Sequence, residues 1–234
     1  MLIELRNVTK VYGTGPGAFR ALDGVSVIVE RGEFLSVIGP SGSGKSTLLN
    51  LMAGLDVPDG GQILLNGQDL ARMSDRALSN LRLREIGFVF QSFNLFPALT
   101  VWDNVAWPLE FAGVKRARLR AQVEDVLRRV GLADRHARRP GELSGGEQQR
   151  AAIARALVNE PSIILADEPT GSLDSQTGDS ILALLSGLNR EHGVSIVMVT
   201  HRSDAARRSD RTIELRDGRI AGDAPAASRA RLAG

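Results

Sequence analysis

The segment at residues 39–47 has the composition of a phosphate-binding loop. It fits the pattern G-x-x-x-x-G-K-[ST] and lies between a strand-like apolar run (33–38) and a helical run (45–53). In that setting backbone N–H groups favour anions, Lys45 can reach the β- and γ-phosphates, and the Ser46 hydroxyl can ligate magnesium. The segment therefore predicts a nucleoside triphosphate site rather than a chance glycine-rich turn. The residues expected at the phosphates are Gly39, Ser41, Gly42, Ser43, Gly44, Lys45, Ser46 and Thr47.

Two adjacent carboxylates, Asp167 and Glu168, end a second apolar run. Active sites collect at the carboxyl ends of parallel strands, and neighbouring strand positions point to opposite sides. We therefore expect Asp167 to hold magnesium and Glu168 to face the attacking water. Pro169 disfavours helical geometry at the residue before it, so an extended Glu168 is expected. The alternative is a pair of solvated carboxylates at a turn.

Two further polar residues follow predicted strands and complete a candidate catalytic set with Lys45 and Glu168. Gln91 comes after the strand at 86–90 and could touch the magnesium shell, whereas His201 comes after the strand at 194–200 and could bind the γ-phosphate. Phosphoryl transfer needs charge neutralisation and a positioned water more than covalent chemistry, which suits such groups. Taken alone, each is more typical of an ordinary loop residue.

The segment at residues 143–150, Leu-Ser-Gly-Gly-Glu-Gln-Gln-Arg, predicts a second anion site at a helix start. Ser144 and Glu147 also form a capping-box pattern, which is the purely structural interpretation. Two glycines, Gly145 and Gly146, are costly in a first helical turn unless something approaches the backbone closely. A head-to-tail homodimer would explain both sites, with Ser144 to Glu147 of one chain closing over the nucleotide held by Lys45 of the other.

Strand-like runs alternate with amphipathic helical patterns, which predicts an α/β fold with a parallel sheet. The first strands indicate a small β layer, and Asp217-Gly218 predicts a hairpin between 212–216 and 219–221. Residues 92–158 carry few strand signals and several helical ones. We expect one domain over 1–234, in which 1–91 and 159–222 form the core and β layer, 92–158 a helical subdomain, and 223–234 a loose tail.

Seven of the ten aromatic residues lie between residues 88 and 111. We expect most of this set to lie in the core, since exposed aromatic patches are uncommon. For Phe93, Phe96 and Trp102, which lie in or near a turn-rich stretch, we expect contact with a partner instead.

The composition excludes several classes of protein. The chain has 234 residues, no cysteine and a net charge of +2, so disulfides and Cys-ligated zinc are excluded and nucleic-acid binding is not expected. We see no signal peptide and no apolar run near the roughly 20 residues of a membrane helix. The chain is therefore expected to stay in the cytoplasm, and any membrane role is expected to come through a partner.

Taken together, these motifs resemble the ATP-binding subunit of an ABC transporter over nearly the whole chain. Residues 39–47 match the Walker A loop, Gln91 the Q-loop, 143–150 the signature, 163–168 Walker B, 172–174 the D-loop and His201 the switch histidine. The resemblance implies a P-loop NTPase (RecA-like) core with an antiparallel β subdomain and an inserted α-helical subdomain. It also implies ATP and Mg²⁺ as cofactors, Asp174 near the nucleotide, and Tyr12 as the aromatic that stacks on adenine.

Residues 166–171 and 87–91 are similar to the branch that contains MacB-like macrolide exporters, LolD-like lipoprotein-releasing ATPases and the cell-division ATPase FtsE. The resemblance implies an integral membrane permease contacted from about Gln91 to Trp107. Ser172 and Arg202 depart from that branch's usual residues. Alternatives are an FtsE-like regulatory ATPase, an importer ATPase, and a soluble ABC protein of DNA repair or translation.

Overall fold

The fold is described from a computed structural model, for residues 1–201 and 205–225. Its strands are β1 Ile3–Tyr12, β2 Phe19–Val29, β3 Phe34–Ile38, β4 Gly60–Leu65, β5 Gln68–Asp69, β6 Ile86–Val89, β7 Ile163–Asp167, β8 Ser195–Thr200, β9 Arg211–Arg216 and β10 Arg219–Pro225. Its helices are α1 Lys45–Met52, α2 Asp75–Glu85, α3 Val101–Phe111, α4 Arg116–Arg129, α5 Gly145–Leu157 and α6 Ser175–His192. None of the helices in these residues is long and apolar enough to span a membrane.

The strands form two sheets, as the α/β interpretation with a β layer predicts. One is antiparallel, in the order β2-β1-β4-β5, and the other has the order β10-β9-β3-β8-β7-β6. In the second sheet β9, β3, β8, β7 and β6 are parallel, and β10 pairs antiparallel with β9. The two sheets together confirm the P-loop NTPase core and its antiparallel β subdomain.

The register of the parallel sheet aligns the carboxyl ends of its central strands. Ile38 at the end of β3 pairs with Thr200 at the end of β8, and Asp167 at the end of β7 pairs with Val199. The phosphate loop, the Asp167 turn and His201 follow these ends directly. One sheet edge therefore gathers the residues expected to do chemistry.

Both faces of the parallel sheet are buried, which accounts for the continuous apolar runs of β7 and β8. Ile163, Leu165 and Val197 face a core shared with α1 and the antiparallel sheet. Ile164 and Met198, at alternate positions, face a second core with α3, α4, α5 and α6. The helices within 92–158 thus share one core with the sheet, and their separation as a subdomain stays a prediction.

The C-terminal hairpin is present, but the predicted loose tail begins later than expected. Asp217 and Gly218 adopt φ angles of 48° and 73°, as a tight hairpin turn requires. Strand β10 continues to Pro225, which pairs with Arg211 of β9, and Arg211 also forms an ion pair with Asp223 at 2.6 Å. The expectation of a loose tail from residue 223 is therefore wrong for 223–225, and 226–234 lie outside the described residues.

Candidate active site

The phosphate loop connects β3 to α1, as predicted. Gly44 immediately precedes the helix with a φ of 101°, and a Cβ there would lie 2.3 Å from the Ala21 carbonyl oxygen. Only glycine fits this close approach. Helix α1 then begins at Lys45, so its first N–H groups point into the loop.

Polar groups inside the loop fit a triphosphate. The Lys45 ammonium is buried and donates to the carbonyl oxygens of Gly39 and Pro40 at 2.9 and 2.8 Å. The Ser43 hydroxyl is buried and has no hydrogen-bond partner in the described part of the chain. A cation, an unsatisfied hydroxyl and a helix start in one turn are suited to oxyanions.

Ser46 and Asp167, predicted as magnesium ligands, lie together. The Ser46 hydroxyl donates to Asp167 Oδ1 at 3.3 Å across 121 residues of sequence. Burial raises the pKa of Asp167, and the neighbouring Glu168 charge adds to the effect. One hydroxyl and one carboxylate fit Mg²⁺, which keeps waters and takes its remaining ligands from the phosphates of a nucleotide.

Gln91, the third predicted magnesium ligand, is exposed and lies against Gly171. An alanine Cβ at position 171 would meet the Gln91 amide nitrogen at 2.9 Å. The Ser172 hydroxyl also donates to the Gln91 carbonyl oxygen at 3.1 Å. Gln91 thus packs on the turn that follows Glu168, and no hydrogen bond in the described residues joins its side chain to Asp167 or Ser46.

Glu168 and His201 meet at the ends of β7 and β8. His201 Nδ1 lies 3.0 Å from Glu168 Oε1, and because a carboxylate only accepts, this nitrogen carries the proton. The expected extended backbone at Glu168 is wrong, since its φ is 46°. Its N–H donates to the Val199 carbonyl, and its own carbonyl accepts from Gly171 N–H, so the chain turns at this residue.

Replacing Asp167 by Asn is expected to stabilise the nucleotide-free protein at neutral pH. Because its pKa is raised on folding, the native state binds this proton more tightly than the unfolded chain. The wild-type free energy of unfolding should therefore fall as the pH rises from about 3.9, the unfolded value, through the raised native pKa.

Denaturant unfolding across this range measures the effect. Asp167→Asn should lack that part of the slope, whereas the exposed control Asp179→Asn should keep it. Identical slopes for wild type and Asp167→Asn would contradict the assignment.

The second predicted anion site begins α5 with a complete capping box. The Ser144 hydroxyl accepts from Glu147 N–H at 3.3 Å, and Ser144 N–H donates to Glu147 Oε2 at 2.9 Å. This N–H donation and the ion pair with Arg135 lower the pKa of Glu147. The structural interpretation is therefore correct for Ser144 and Glu147.

Side chains of the same chain approach Gly145 and Gly146. A Cβ on Gly146 would lie 2.6 Å from Thr177 Cγ2, and one on Gly145 would lie 3.1 Å from Leu173 Cδ2. Asp174, predicted near the nucleotide, caps α6 by accepting from Thr177 N–H at 3.0 Å. The need for glycine at 146 thus arises from packing of α5 on α6.

Gly146→Ala should destabilise the protein by about 1–3 kcal/mol through overpacking. Thr177→Ser removes Cγ2 but keeps the hydroxyl, so it should recover most of this loss in the double variant. Urea unfolding of the two single variants and the double variant tests this. Equal destabilisation with and without Thr177→Ser would exclude this contact as the cause.

Tyr12, expected to stack on adenine, is held beside α1 by a network that sequence reasoning missed. Its hydroxyl donates to Asp56 Oδ2 at 2.8 Å, and Lys10 Nζ lies 2.6 Å from Asp56 Oδ1 and 5.2 Å from the ring centroid. The ring itself remains partly exposed. No local pattern joins Tyr12 to Asp56, because the contact spans 44 residues.

The aromatic cluster is exposed or half-buried, contrary to the expectation of a core position for the set as a whole. None of its seven members is fully buried: Phe96, Trp107 and Phe111 are exposed, whereas Phe88 and Trp102 are half-buried against the two cores. Ring centroids lie 5.6 Å apart for Phe96 and Trp107 and 5.2 Å for Trp107 and Phe111. We call these three residues the aromatic patch.

Only one of the three predicted partner anchors is exposed. Trp102 is half-buried against the helical core and Phe93 is half-buried in the loop after Gln91. Trp107 and Phe111, which lie four residues apart on one face of α3, are exposed as well. The exposure of Phe96 fits the partner prediction, and partner contact at Phe93 and Trp102 stays a prediction.

Comparisons with known proteins agree with this geometry. The family model described as ABC transporter matches residues 22–171. The lipoprotein-releasing system ATP-binding protein LolD of Geobacter metallireducens is 47% identical over 222 residues, covering 95% of this chain and 99% of that protein. The macrolide export ATP-binding/permease protein MacB of Hyphomonas neptunium is 46% identical over 222 residues, which are 95% of this chain but 34% of MacB.

A solved structure has the same fold over nearly the whole chain. It is a dimer of the ATP-binding cassette MJ0796 in a post-hydrolysis state with ADP and Pi, with a TM-score of 0.87 and 43% identity, covering 96% of this chain and 98% of that one. The resemblance to the MacB and LolD branch is thus confirmed. The chain belongs to the ABC transporter family and is an ATP-binding, ATP-hydrolysing subunit of that family.

Proposed function

We propose that the chain forms an ATP-dependent head-to-tail homodimer and drives an integral membrane permease of the export or mechanical-transmission type. The main support for the homodimer is that the two predicted anion sites lie apart within one chain. Lys45, Ser46 and Asp167 lie at the sheet edge, whereas Ser144 begins α5, and no hydrogen bond in the described residues joins 144–147 to 39–47. A second copy of the chain would bring the two sites together.

Hydrolysis is assigned to the residues that meet at this edge. Glu168 accepts a proton from a water that attacks the γ-phosphorus while the bond to the bridging β–γ oxygen breaks, which gives ADP and phosphate. Lys45 and the amides of residues 41–47 neutralise charge on the phosphate oxygens. Mg²⁺, held by Ser46, Asp167 and Gln91, would supply further charge neutralisation.

His201 has a supporting role in this assignment. Its Nδ1–H holds the Glu168 carboxylate at 3.0 Å, and its exposed ring would donate to the γ-phosphate through Nε2–H only as the imidazolium, in which both ring nitrogens are donors. Gly145, Gly146, Glu147 and Asp174 are proposed to line the nucleotide from the second copy, and Tyr12 to stack on adenine. No part of this proposal requires a nucleic acid.

The aromatic patch supports contact with a membrane permease from about Gln91 to Trp107, extended to Phe111. Three exposed aromatic rings joined by two ring contacts through Trp107 are unusual on a surface that meets only water. The patch lies on α3 and the loop before it, close in sequence to Gln91. Docking there would place the chain at the cytoplasmic face of the plasma membrane.

Capture of the partner from membranes tests this proposal. The tagged Glu168→Gln protein, which should retain ATP, is purified with Mg-ATP from detergent-solubilised cells, and the captured proteins are identified. We expect a permease with a large extracytoplasmic domain. A classical import permease would support the importer alternative, and recovery of soluble proteins alone would refute the transport function.

A matched pair of substitutions tests whether the permease binds at the aromatic patch. Trp107 on α3 and Ile28 on β2 of the antiparallel sheet are both 40% exposed. Trp107→Ser should lose the permease, and Ile28→Ser should retain it. Equal capture by both variants would show that the permease docks elsewhere.

A further inference from the structure

The guanidinium of Arg155 joins α5 to the loop that carries Gln91. It donates to the carbonyl oxygens of Asn94 and Phe93, the latter at 3.0 Å. These contacts span about sixty residues of sequence and connect two elements of the active site. We call residues 90–94 the Gln91 loop.

The Gln91 loop has a backbone that needs external support. Phe93 and Asn94 have φ angles of 61° and 50°, in the left-handed region. Left-handed geometry is unfavourable for non-glycine residues, less so for asparagine than for phenylalanine, and two such residues in succession need contacts that hold them. The carbonyl groups of these same two residues are the acceptors for Arg155.

Arg155 is half-buried beside the two carbonyl groups that it binds. This partial burial lowers the pKa of the arginine, and the hydrogen bonds of its guanidinium in the described chain go to carbonyl groups. An apolar side chain would fill the same position of the helix without the cost of desolvating a cation. The fixed fork of the guanidinium, in contrast, can bind two adjacent carbonyls at once.

Two further side chains bind backbone carbonyls of the Gln91 loop. Gln149 Nε2, also on α5, lies 3.5 Å from the Phe90 carbonyl oxygen, and the Ser172 hydroxyl donates to the Gln91 carbonyl at 3.1 Å. Side chains of α5 therefore bind backbone carbonyls on both sides of Gln91. The carbonyl of Gln91 itself accepts from Ser172, in the turn that follows Glu168. A shift of α5 would displace Gln91.

We propose that Arg155 is a positioning residue for hydrolysis, which couples the orientation of α5 to the position of Gln91. This inference rests on the role proposed above for Gln91 at the magnesium ion. Because α5 begins at Ser144, closure of a second chain on that helix start would reach Gln91 through Arg155. Misplacement of a catalytic group by about 1 Å can cost on the order of 100-fold in rate.

Steady-state hydrolysis by Arg155→Met and Arg155→Lys tests the inference, with Arg190→Met as the matched control. Arg190 also lies on a helix and binds a carbonyl oxygen, that of Ser186, but belongs to α6. We expect kcat to fall about 10- to 100-fold in Arg155→Met with little change in KM for ATP, and to fall less in Arg155→Lys. Arg190→Met should keep the wild-type kcat.

A second substitution separates positioning from simple loss of stability. Asn94→Gly removes the steric cost of a left-handed backbone at residue 94, so it should restore part of the kcat lost in Arg155→Lys. This comparison remains possible even if Arg155→Met does not fold. Amide hydrogen exchange at residues 91–94 should be faster in Arg155→Lys and slower again in the double variant.

Gln91→Ala distinguishes failure of this inference from failure of the proposed function. If Gln91→Ala keeps the wild-type kcat, the assigned role of Gln91 is wrong. If Gln91→Ala is impaired while folded Arg155 variants keep the wild-type kcat, the coupling through Arg155 is wrong. Equal kcat in Arg155→Lys with and without Asn94→Gly, where Arg155→Lys is impaired, would also overturn it.

Discussion

Glu168→Gln should lower the rate of ATP hydrolysis by about 10²- to 10⁴-fold and leave ATP binding intact. The amide has the shape of the carboxylate but is not a base that can take a proton from water. In the folded protein Glu168 is largely buried, with a side-chain exposure of 16%, and its carboxylate lies 3.0 Å from His201 Nδ1. The substitution therefore changes the chemistry of the site with little change in its packing.

Phosphate release and nucleotide binding, measured separately on the same preparation, test this expectation. Glu160→Gln is the control, since Glu160 is another left-handed glutamate but is exposed at the end of the turn after α5. It should leave both quantities unchanged. Unaltered turnover in Glu168→Gln would mean that another group activates the water.

Lys45→Met should weaken ATP binding by about 10- to 150-fold, the equivalent of roughly 1.5–3 kcal/mol for hydrogen bonds to a charged group. The ammonium is held inside the loop by the carbonyls of Gly39 and Pro40, so it is already placed for phosphate oxygens. Lys45→Arg should also be impaired, because a buried site built around a compact ammonium does not fit a larger planar guanidinium.

Equilibrium binding of a fluorescent ATP analogue measures the effect. Lys115→Met, at the exposed residue before α4, is the charge-matched control and should bind as the wild type does. Wild-type affinity in Lys45→Met would show that the loop at 39–47 does not hold the triphosphate.

Local patterns were sufficient for the parts of the site that are contiguous in sequence. The glycine and lysine spacing located the loop at 39–47, and the apolar runs before Asp167 and His201 located the strand ends that bring them together. The Ser46 to Asp167 contact followed from the rule that parallel strands end at one edge.

Features that depend on tertiary contacts did not follow from local patterns. The left-handed turn at Glu168 depends on a hydrogen bond to Val199 of a neighbouring strand. The proline that follows Glu168 indicated only that right-handed helical geometry is disfavoured there. Gly146 is required by Thr177 on another helix. Aromatic composition alone could not distinguish a core from a surface, because both use large apolar side chains.

Arg155 illustrates the same limit for a charged residue. In sequence it is one of two arginines on α5, and only the structure shows that its guanidinium binds the Gln91 loop. Likewise, the hydrogen bond from the Tyr12 hydroxyl to Asp56 joins residues that are 44 positions apart in sequence. Positioning residues of this kind are defined by distances in space rather than by spacing along the chain.

Closure of two copies of this chain on each other by ATP can be followed through the mass of the Glu168→Gln protein in solution. Light scattering after size-exclusion chromatography should give a monomer without nucleotide and twice that mass with saturating Mg-ATP. Adding Ser144→Arg to Glu168→Gln should return the monomer mass, since a bulky cation would block the helix start that meets the other chain. A Glu168→Gln protein that binds ATP and remains a monomer would rule out the ATP-dependent homodimer.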